Sequence, residues 1–597
     1  LNNKELLNDM AETGSPRLEA EQAQVNRRHA FAWRSWLDPL QRPPRWGLAE
    51  SVALALWLGL VGFAVAQHDP WADEAQAWML ASAVSWKTLF LHSLHYEGSG
   101  GFWHAFLKVL QALHIPFTGM RWLVAGVEGA AIAVLLASAP FPRIVRLLLP
   151  FTFFLFYQDA VIARSYCLFA ILAFPAAALL RSGRPRPLPL AILLGLMANI
   201  SVHAALASGG MAIAALLIWR GRLLRSLPAV VLLLLFWAGA IATMIPAADI
   251  DYPAGNNIER SIAKIETQVG AHAHMPSLLT RQSMANLPPP PPAPRQTRNG
   301  LHKFWNKTAR VLSIITYPVS VYRPLALLLV LLVAAQAVLQ NRRGRSRFTG
   351  EADAGSLGWS GLVPYVLMVL VFTSLYLAPR HVGTVFTGFV ITAWLTWPLA
   401  VEVQGRRLVL ERITAGLMVL MCLVQISWSF HALHEEQKLP YAPGKMTAAY
   451  LKSRGVGAPG SDIKVAGFYY FSIDPLLYFD HNIYFNEPPH RYWFWSTAMR
   501  TYGTVEQALS QHPSFIVIGG FESGHDAEIT RDWLPNDPPM PGIVLNDAFH
   551  ITQFFENNGY HPTHVFCGHS WMRSTYAEQL CDTVLEPVQD ANAANPH

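Results

Sequence analysis

The chain has 597 residues, of which 52% are apolar and only 14% charged, with 20 Trp and 31 Phe. That composition excludes a string of soluble domains and points to a membrane protein crossing the bilayer many times. The net charge of +6 sits at the ends of apolar runs, which argues against nucleic-acid binding. There is no Walker loop and no internal repeat, and no nucleotide site is expected.

Residues 1–46 are polar and basic, carrying Arg27, Arg28, Arg34, Arg42 and Arg45. No small-residue cleavage site follows the first apolar run, so this segment is expected in the cytoplasm, with Phe31 to Leu37 lying on the inner leaflet. The first span is predicted from Leu48 to Ala66. It leads directly into His68-Asp69-Pro70-Trp71-Ala72-Asp73-Glu74-Ala75-Gln76-Ala77-Trp78. Adjacent carboxylates at the outer end of a span are costly near lipid and useful to chemistry, which makes Asp73 and Glu74 the leading active-site candidates. The structural alternative is that they favour the N-terminus of the following helix through its dipole.

Residues 75–116 read as one or two helices along the outer leaflet. Further apolar runs lie at Arg121 to Ala139, Leu147 to Tyr157, Ile162 to Leu180, 188–203, 204–219, Leu227 to Pro246, Val311 to Leu339, Leu362 to Leu377, Thr384 to Val401 and Ile413 to Phe430. With the first, they make about eleven spans. Arg143 and Arg146, then Arg181, Arg184 and Arg186, Arg220, Arg222 and Arg225, Arg342 to Arg347, and Arg406 and Arg407 fall in alternate loops. The positive-inside rule places these in the cytoplasm, and therefore loops 67–118 and 247–308 and the tail outside. The second loop contains the run Pro288 to Pro292, expected to be either extended or disordered, and a loop of this length commonly covers or gates a site. Its Asp249, Asp251, Glu259, His272 and His274 are either metal ligands or solvated loop residues.

The chain thus divides into segment 1–46, a membrane domain 47–435 and a soluble tail 436–597. Strand character at Ile463 to Phe468 and Ser514 to Gly520, with a helical stretch Val505 to His512 between, predicts a small α/β domain. Cys167 and Cys422 lie in apolar runs as packing residues. Cys567 and Cys581 lie in the tail, where an oxidising compartment would join them in a disulfide. The run Tyr492-Trp493-Phe494-Trp495 serves either sugar stacking or core packing.

Asp-Glu-Ala-Gln-Ala-Trp after a first span, Leu94-His95-Tyr96-Glu97-Gly98, and Ala163-Arg164-Ser165-Tyr166 after a short span together resemble the GT-C superfamily of integral-membrane glycosyltransferases. That superfamily includes the protein O-mannosyltransferases and the aminoarabinose transferase that modifies lipid A. The resemblance covers roughly 45–435, with one departure: Ser99-Gly100-Gly101-Phe102-Trp103 stands where family members often carry His-Pro before an aromatic residue or Leu-Trp.

The resemblance implies an α-helical polytopic fold of GT-C type with an extracytoplasmic α/β domain, in a bacterial-type inner membrane. It also implies a polyprenyl-phosphate sugar donor, a lipid, glycan or protein hydroxyl as acceptor, and inversion at the anomeric carbon. Asp73 then takes the place of the base, while Glu74 orients the acceptor or joins Asp73 in holding a divalent cation such as Mg or Mn. Arg164, Arg380 and His381 are the expected partners of the leaving phosphate, with headgroup snorkelling as their alternative use. His95, Glu97 and His203 are secondary, acceptor-side candidates. Two other classes fit the composition: a non-catalytic membrane subunit that scaffolds a larger assembly, and a lipid or solute transporter, for which broken helices in matched halves are expected.

Overall fold

The computed structural model describes residues 44–182, 186–219, 226–249, 300–316, 322–344, 357–374, 382–398, 405–494, 505–521, 551–570 and 578–588. Of the sequence candidates, Phe31 to Leu37, Asp251, Glu259, His272, His274, Pro288 to Pro292, Arg380, His381 and Trp495 lie outside these residues. The molecule is mostly helical and carries one small C-terminal sheet. Among the described residues, four helices are long and apolar enough to cross a membrane by length and composition: Leu48–Gln67 (α1), Phe117–Ser138 (α5), Leu227–Met244 (α10) and Arg406–Lys438 (α15). Shorter apolar helices accompany them, among them Tyr166–Arg181 (α7), Pro187–Ala198 (α8), Val202–Trp219 (α9), Arg323–Gly344 (α12), Val363–Ser374 (α13) and Val382–Thr396 (α14). Gly300–Ser313 forms α11.

Charged side chains at helix ends are used inside the fold as well as at its rim. Glu50, buried in the first turn of α1, takes Arg143 at 3.0 Å and Arg146 at 3.4 Å, both from the short helix α6, Arg143–Leu148. Arg181 at the end of α7 is buried and donates to the carbonyl of Trp394 at 2.9 Å. These arginines therefore lock helix ends together, a use that loop charge alone does not reveal.

Two elements differ from the sequence expectation. The predicted span from Leu147 to Tyr157 is instead α6, a 3-10 turn Leu149–Phe151 containing Pro150, and a π-helical turn Phe154–Gln158. Pro150 lacks the N–H that a continuous helix needs at that point. The run is apolar because Phe153 to Tyr157 are buried within the protein, and hydropathy reports burial without distinguishing lipid from protein neighbours. π-turns of this kind cluster at functional sites, and this one carries Tyr157 into the centre described below.

Residues 75–116 also differ from surface helices. They form α2 (Ala72–Ala83), α3 (Trp86–Leu91), a 3-10 turn Ser93–Tyr96 and α4 (Phe102–Ala112). Large apolar side chains stay at the surface at Trp86 and Leu91 of α3 and at Val109 of α4. α2 buries Ala72, Ala75, Ala77, Met79, Leu80 and Ala81, because the tail covers it. The glycine-rich departure has a steric cause: Phe102 N–H donates to Asn199 O at 2.9 Å, and a Cβ on Gly100 would stand 2.5 Å from the Asn199 backbone. Gly101 takes φ 87°, a left-handed value that favours glycine.

In the tail, Gly444–Ser453 (α16) precedes β1 (Val465–Phe468), Val505–Ser510 (α17), β2 (Phe515–Phe521), β3 (Tyr560–Ser570) and β4 (Glu578–Pro587). The sheet order is β1-β2-β4-β3, with β1 parallel to β2 and the other pairs antiparallel. Ala466, Phe468, Ile516, Ile518, Ile551, Phe555 and Leu585 form its apolar core. The hairpin β3–β4 is absent from the sequence expectation because β3 is interrupted by His561, Pro562, His564 and His569, which hide an alternating pattern. Cys567 and Cys581 stand opposite each other in that hairpin and are joined in a disulfide across a separation of 14 residues. Closing a loop of that length stabilises a fold by about 3 kcal/mol. Cys567→Ser, with Cys581→Ser, is therefore expected to lower the tail's urea midpoint, and an unchanged midpoint would show the crosslink to be energetically idle.

Candidate active site

The site grows from the short connection between α1 and α2. α1 stops at His68, Pro70 prevents its continuation, and Trp71 opens α2. Glu74, at the third position of α2, turns back so that its Oε2 accepts the Trp71 N–H at 3.2 Å, one half of a capping box. Its Oε1 accepts the Ala163 N–H at 2.7 Å. The residue beside Asp73 is thus fastened to the residue beside Arg164.

Asp73 and Arg164, 91 residues apart in sequence, form an ion pair through Asp73 Oδ2. The other oxygen, Oδ1, accepts a hydrogen bond from Tyr470 Oη at 2.7 Å. Tyr470 belongs to a 3-10 stretch of the tail, Tyr470–Tyr478. The Asp73 side chain is 9% exposed and that of Arg164 is 22% exposed, so the pair sits at the mouth of the site with access from outside. The Arg164 guanidinium also lies 5.7 Å from the Tyr166 ring centroid.

Behind Glu74 lies His68, fully buried, with Nε2 3.0 Å from Glu74 Oε2 and Nδ1 2.8 Å from Glu436 Oε1 near the end of α15. Tyr157 Oη donates to the same Glu436 oxygen, and the Tyr441 ring packs 4.5 Å from the imidazole. Burial acts to lower the His68 pKa, but the charges of Glu436 and Glu74 outweigh it and push it from 6.5 up to about 9. A folded pKa above the unfolded one means stability that is complete below pH 6.5 and lost as pH rises through about 9. The loss expected over that window is about 3 kcal/mol. Thermal melts at increasing pH should fall through it in the wild type and stay flatter in His68→Gln; parallel curves would exclude the linkage.

Gln76 joins the tail to α2 as a backbone edge would. Its Oε1 accepts from Trp493 N at 2.7 Å and its Nε2 donates to Trp493 O, while also reaching Glu97 Oε1 at 3.1 Å. Trp493 is buried, and Tyr492 and Phe494 pack with His490, His92 and Tyr96. Of the two uses open to this aromatic run, packing accounts for its described members.

The remaining candidates have separate places. Glu97 lies 3.9 Å from His104 Nε2; burial holds the His104 pKa down at about 4, so this is not an ion pair at neutral pH. His95 Nδ1 is 2.7 Å from Ile245 O, and Tyr96 Oη donates to Asp249 at 2.6 Å, which fastens the Ser93–Tyr96 turn to the chain after α10. His203, at the start of α9, stacks on Phe372 with centroids 4.7 Å apart. Asp73 and Glu74 turn their carboxylates to different partners, Asp73 to Arg164 and Tyr470 and Glu74 to Trp71, Ala163 and His68. Among the described residues no group of three or more His, Cys, Asp and Glu side chains is placed to hold a metal ion.

His68, Tyr157, Glu436 and Tyr470 are additions that sequence reasoning did not single out for chemistry. His68 lies inside the motif, but Tyr470 and Glu436 are reached only through folding. The arrangement defines a mostly helical protein, with helices apolar enough to cross a membrane and an acid–arginine centre that its own tail contacts through Tyr470. No family model matches the chain, and no curated protein matches it, so the GT-C resemblance rests on its motifs.

Proposed function

We propose that the chain is a GT-C-type glycosyltransferase. It would cross a bacterial-type inner membrane in about eleven spans, with a cytoplasmic N-terminal segment and an extracytoplasmic tail. Its donor is a polyprenyl-phosphate sugar and its acceptor a lipid, glycan or protein hydroxyl. The observation that carries this reading is the pairing of Asp73 with Arg164, two motif residues that meet in one part-buried centre.

In this mechanism the pair is the resting state. The donor phosphate draws the Arg164 guanidinium away by bidentate hydrogen bonding, which frees Asp73. Asp73 then removes the proton from the acceptor hydroxyl as its oxygen bonds to the anomeric carbon. The bond from that carbon to the phosphate oxygen breaks, with inversion, and Arg164 carries the charge of the departing polyprenyl phosphate. Tyr470 keeps Asp73 oriented once Arg164 has moved.

The test is transfer by purified, lipid-supplemented protein over a panel of polyprenyl-phosphate sugars, with and without Mg or Mn. Release of polyprenyl phosphate coupled to glycosylated product supports the reading. No release with any donor from folded protein favours a non-catalytic membrane subunit.

A further inference from the structure

The proposed chemistry leaves His68 without a task, although it is the side chain on which the centre is assembled. Both ring nitrogens face carboxylate oxygens, at 3.0 Å and 2.8 Å. A neutral imidazole has a single N–H and would turn a lone pair toward one of them; only the imidazolium donates to both. The surrounding groups are arranged for that form. Glu74 comes from α2, Glu436 from α15, Tyr157 from the π turn and Tyr441 from the start of the tail. Asp474 and Tyr478 of the tail feel the charge of Glu74 in turn, and burial, reinforced by Asp582 and Glu74, holds the Asp474 carboxyl well above its usual range.

Glu74 is the element through which His68 reaches the centre. One Glu74 oxygen is held by His68, and the other holds the N–H of Ala163, next to Arg164. Asp73 precedes Glu74 and Arg164 follows Ala163, so the Glu74–Ala163 hydrogen bond ties the backbone that carries the base to the backbone that carries its guanidinium partner. Glu436 anchors the far side of the ring to a 33-residue helix, the longest rigid element of the described chain.

We propose that His68 is a positioning residue of the Asp73–Arg164 centre, an imidazolium clamped between Glu74 and Glu436 that fixes Glu74 on the Ala163 N–H and thereby sets the register of the two catalytic motifs. Its rate consequence rests on the glycosyl-transfer reading; the register consequence does not.

Full-length protein carrying Asp73→Cys and Arg164→Cys reports the register by the rate of disulfide formation between the two positions, measured at one pH in four backgrounds. His68→Gln and Glu436→Leu are expected to slow it about tenfold, since small displacements of a few tenths to one ångström are costly to such geometry. Glu436→Gln keeps an oxygen for His68 Nδ1–H and Tyr157 Oη, and is expected to stay near the wild-type rate. With the native Asp73 and Arg164 in place, kcat expressed per folded molecule, counted by circular dichroism on the same preparation, should fall in the same order in His68→Gln and Glu436→Leu while the donor KM holds.

Wild-type cross-linking or wild-type kcat in folded His68→Gln overturns the proposal. If His68→Gln does not fold, equal rates in Glu436→Leu and Glu436→Gln overturn it. Cross-linking that ranks as expected in a protein that turns over no donor leaves the clamp standing and removes the glycosyl-transfer reading.

Discussion

Asp73→Asn is expected to lower sugar transfer by about 10²–10⁴-fold, the usual contribution of a positioned base, while leaving the protein as stable as the wild type. The amide is isosteric and its oxygen still accepts from Tyr470 Oη, so the tail contact survives. What disappears is the ability to take a proton. The lost ion pair costs little, because the Arg164 side chain is 22% exposed and can rehydrate; pairs of this kind contribute roughly 0–1 kcal/mol. Measured release of polyprenyl phosphate and a thermal melt on the same preparation separate the two quantities. Transfer retained at the wild-type rate would remove Asp73 as base.

Glu74→Ala should do the reverse in emphasis: it should destabilise the fold by about 3–5 kcal/mol, the cost of breaking a buried ion pair by deleting one partner. The adjacent carboxylate is spent on structure. It accepts from Trp71 N and Ala163 N and faces His68, and its side chain is fully buried. Removing it leaves two backbone donors and an imidazolium without their acceptor in a dry interior. A denaturant midpoint lowered well beyond that of Asp73→Asn is the expected result. Equal stability of the two variants would mean that the Glu74 contacts are replaceable by water, and that the two carboxylates are not divided between chemistry and architecture.

That division marks where sequence reasoning reaches its limit. The motif around Asp73 and Glu74 is visible as a motif because short-range features, a span end, a proline and two acids, lie within a few residues. Which acid faces the site and which faces the protein is decided by partners at Ala163, Arg164, Glu436 and Tyr470. None of these distances along the chain has a local signature. Arg164 was within reach because it lies in its own motif; Tyr470 was not, since a tyrosine in a tail of mixed sheet and 3-10 turns carries no pattern that points to a carboxylate.

The same limit applies to the fold. Apolar runs located most of the helices, since bilayer and core both demand apolar faces, and the strand pair β1 and β2 followed from continuous β-branched and aromatic runs. The run at Leu147 to Tyr157 is not one continuous helix, because Pro150 and a π turn interrupt it and its apolar residues are matched to protein neighbours. α2 failed as a surface helix because the tail that covers it lies some hundreds of residues away and meets it through Tyr470 at Asp73 and Trp493 at Gln76.

By itself, then, the sequence determined the membrane-type composition, the helical majority, the small α/β tail, the cysteines of the hairpin and the motifs that hold Asp73 and Arg164, all of which depend on local pattern. Only the tertiary structure decided that those two residues meet, that the tail supplies Tyr470, and that His68 stands between Glu74 and Glu436. These depend on the packing of elements far apart in the chain, where the energy of a buried charge is set by what surrounds it in space and not by its neighbours in sequence.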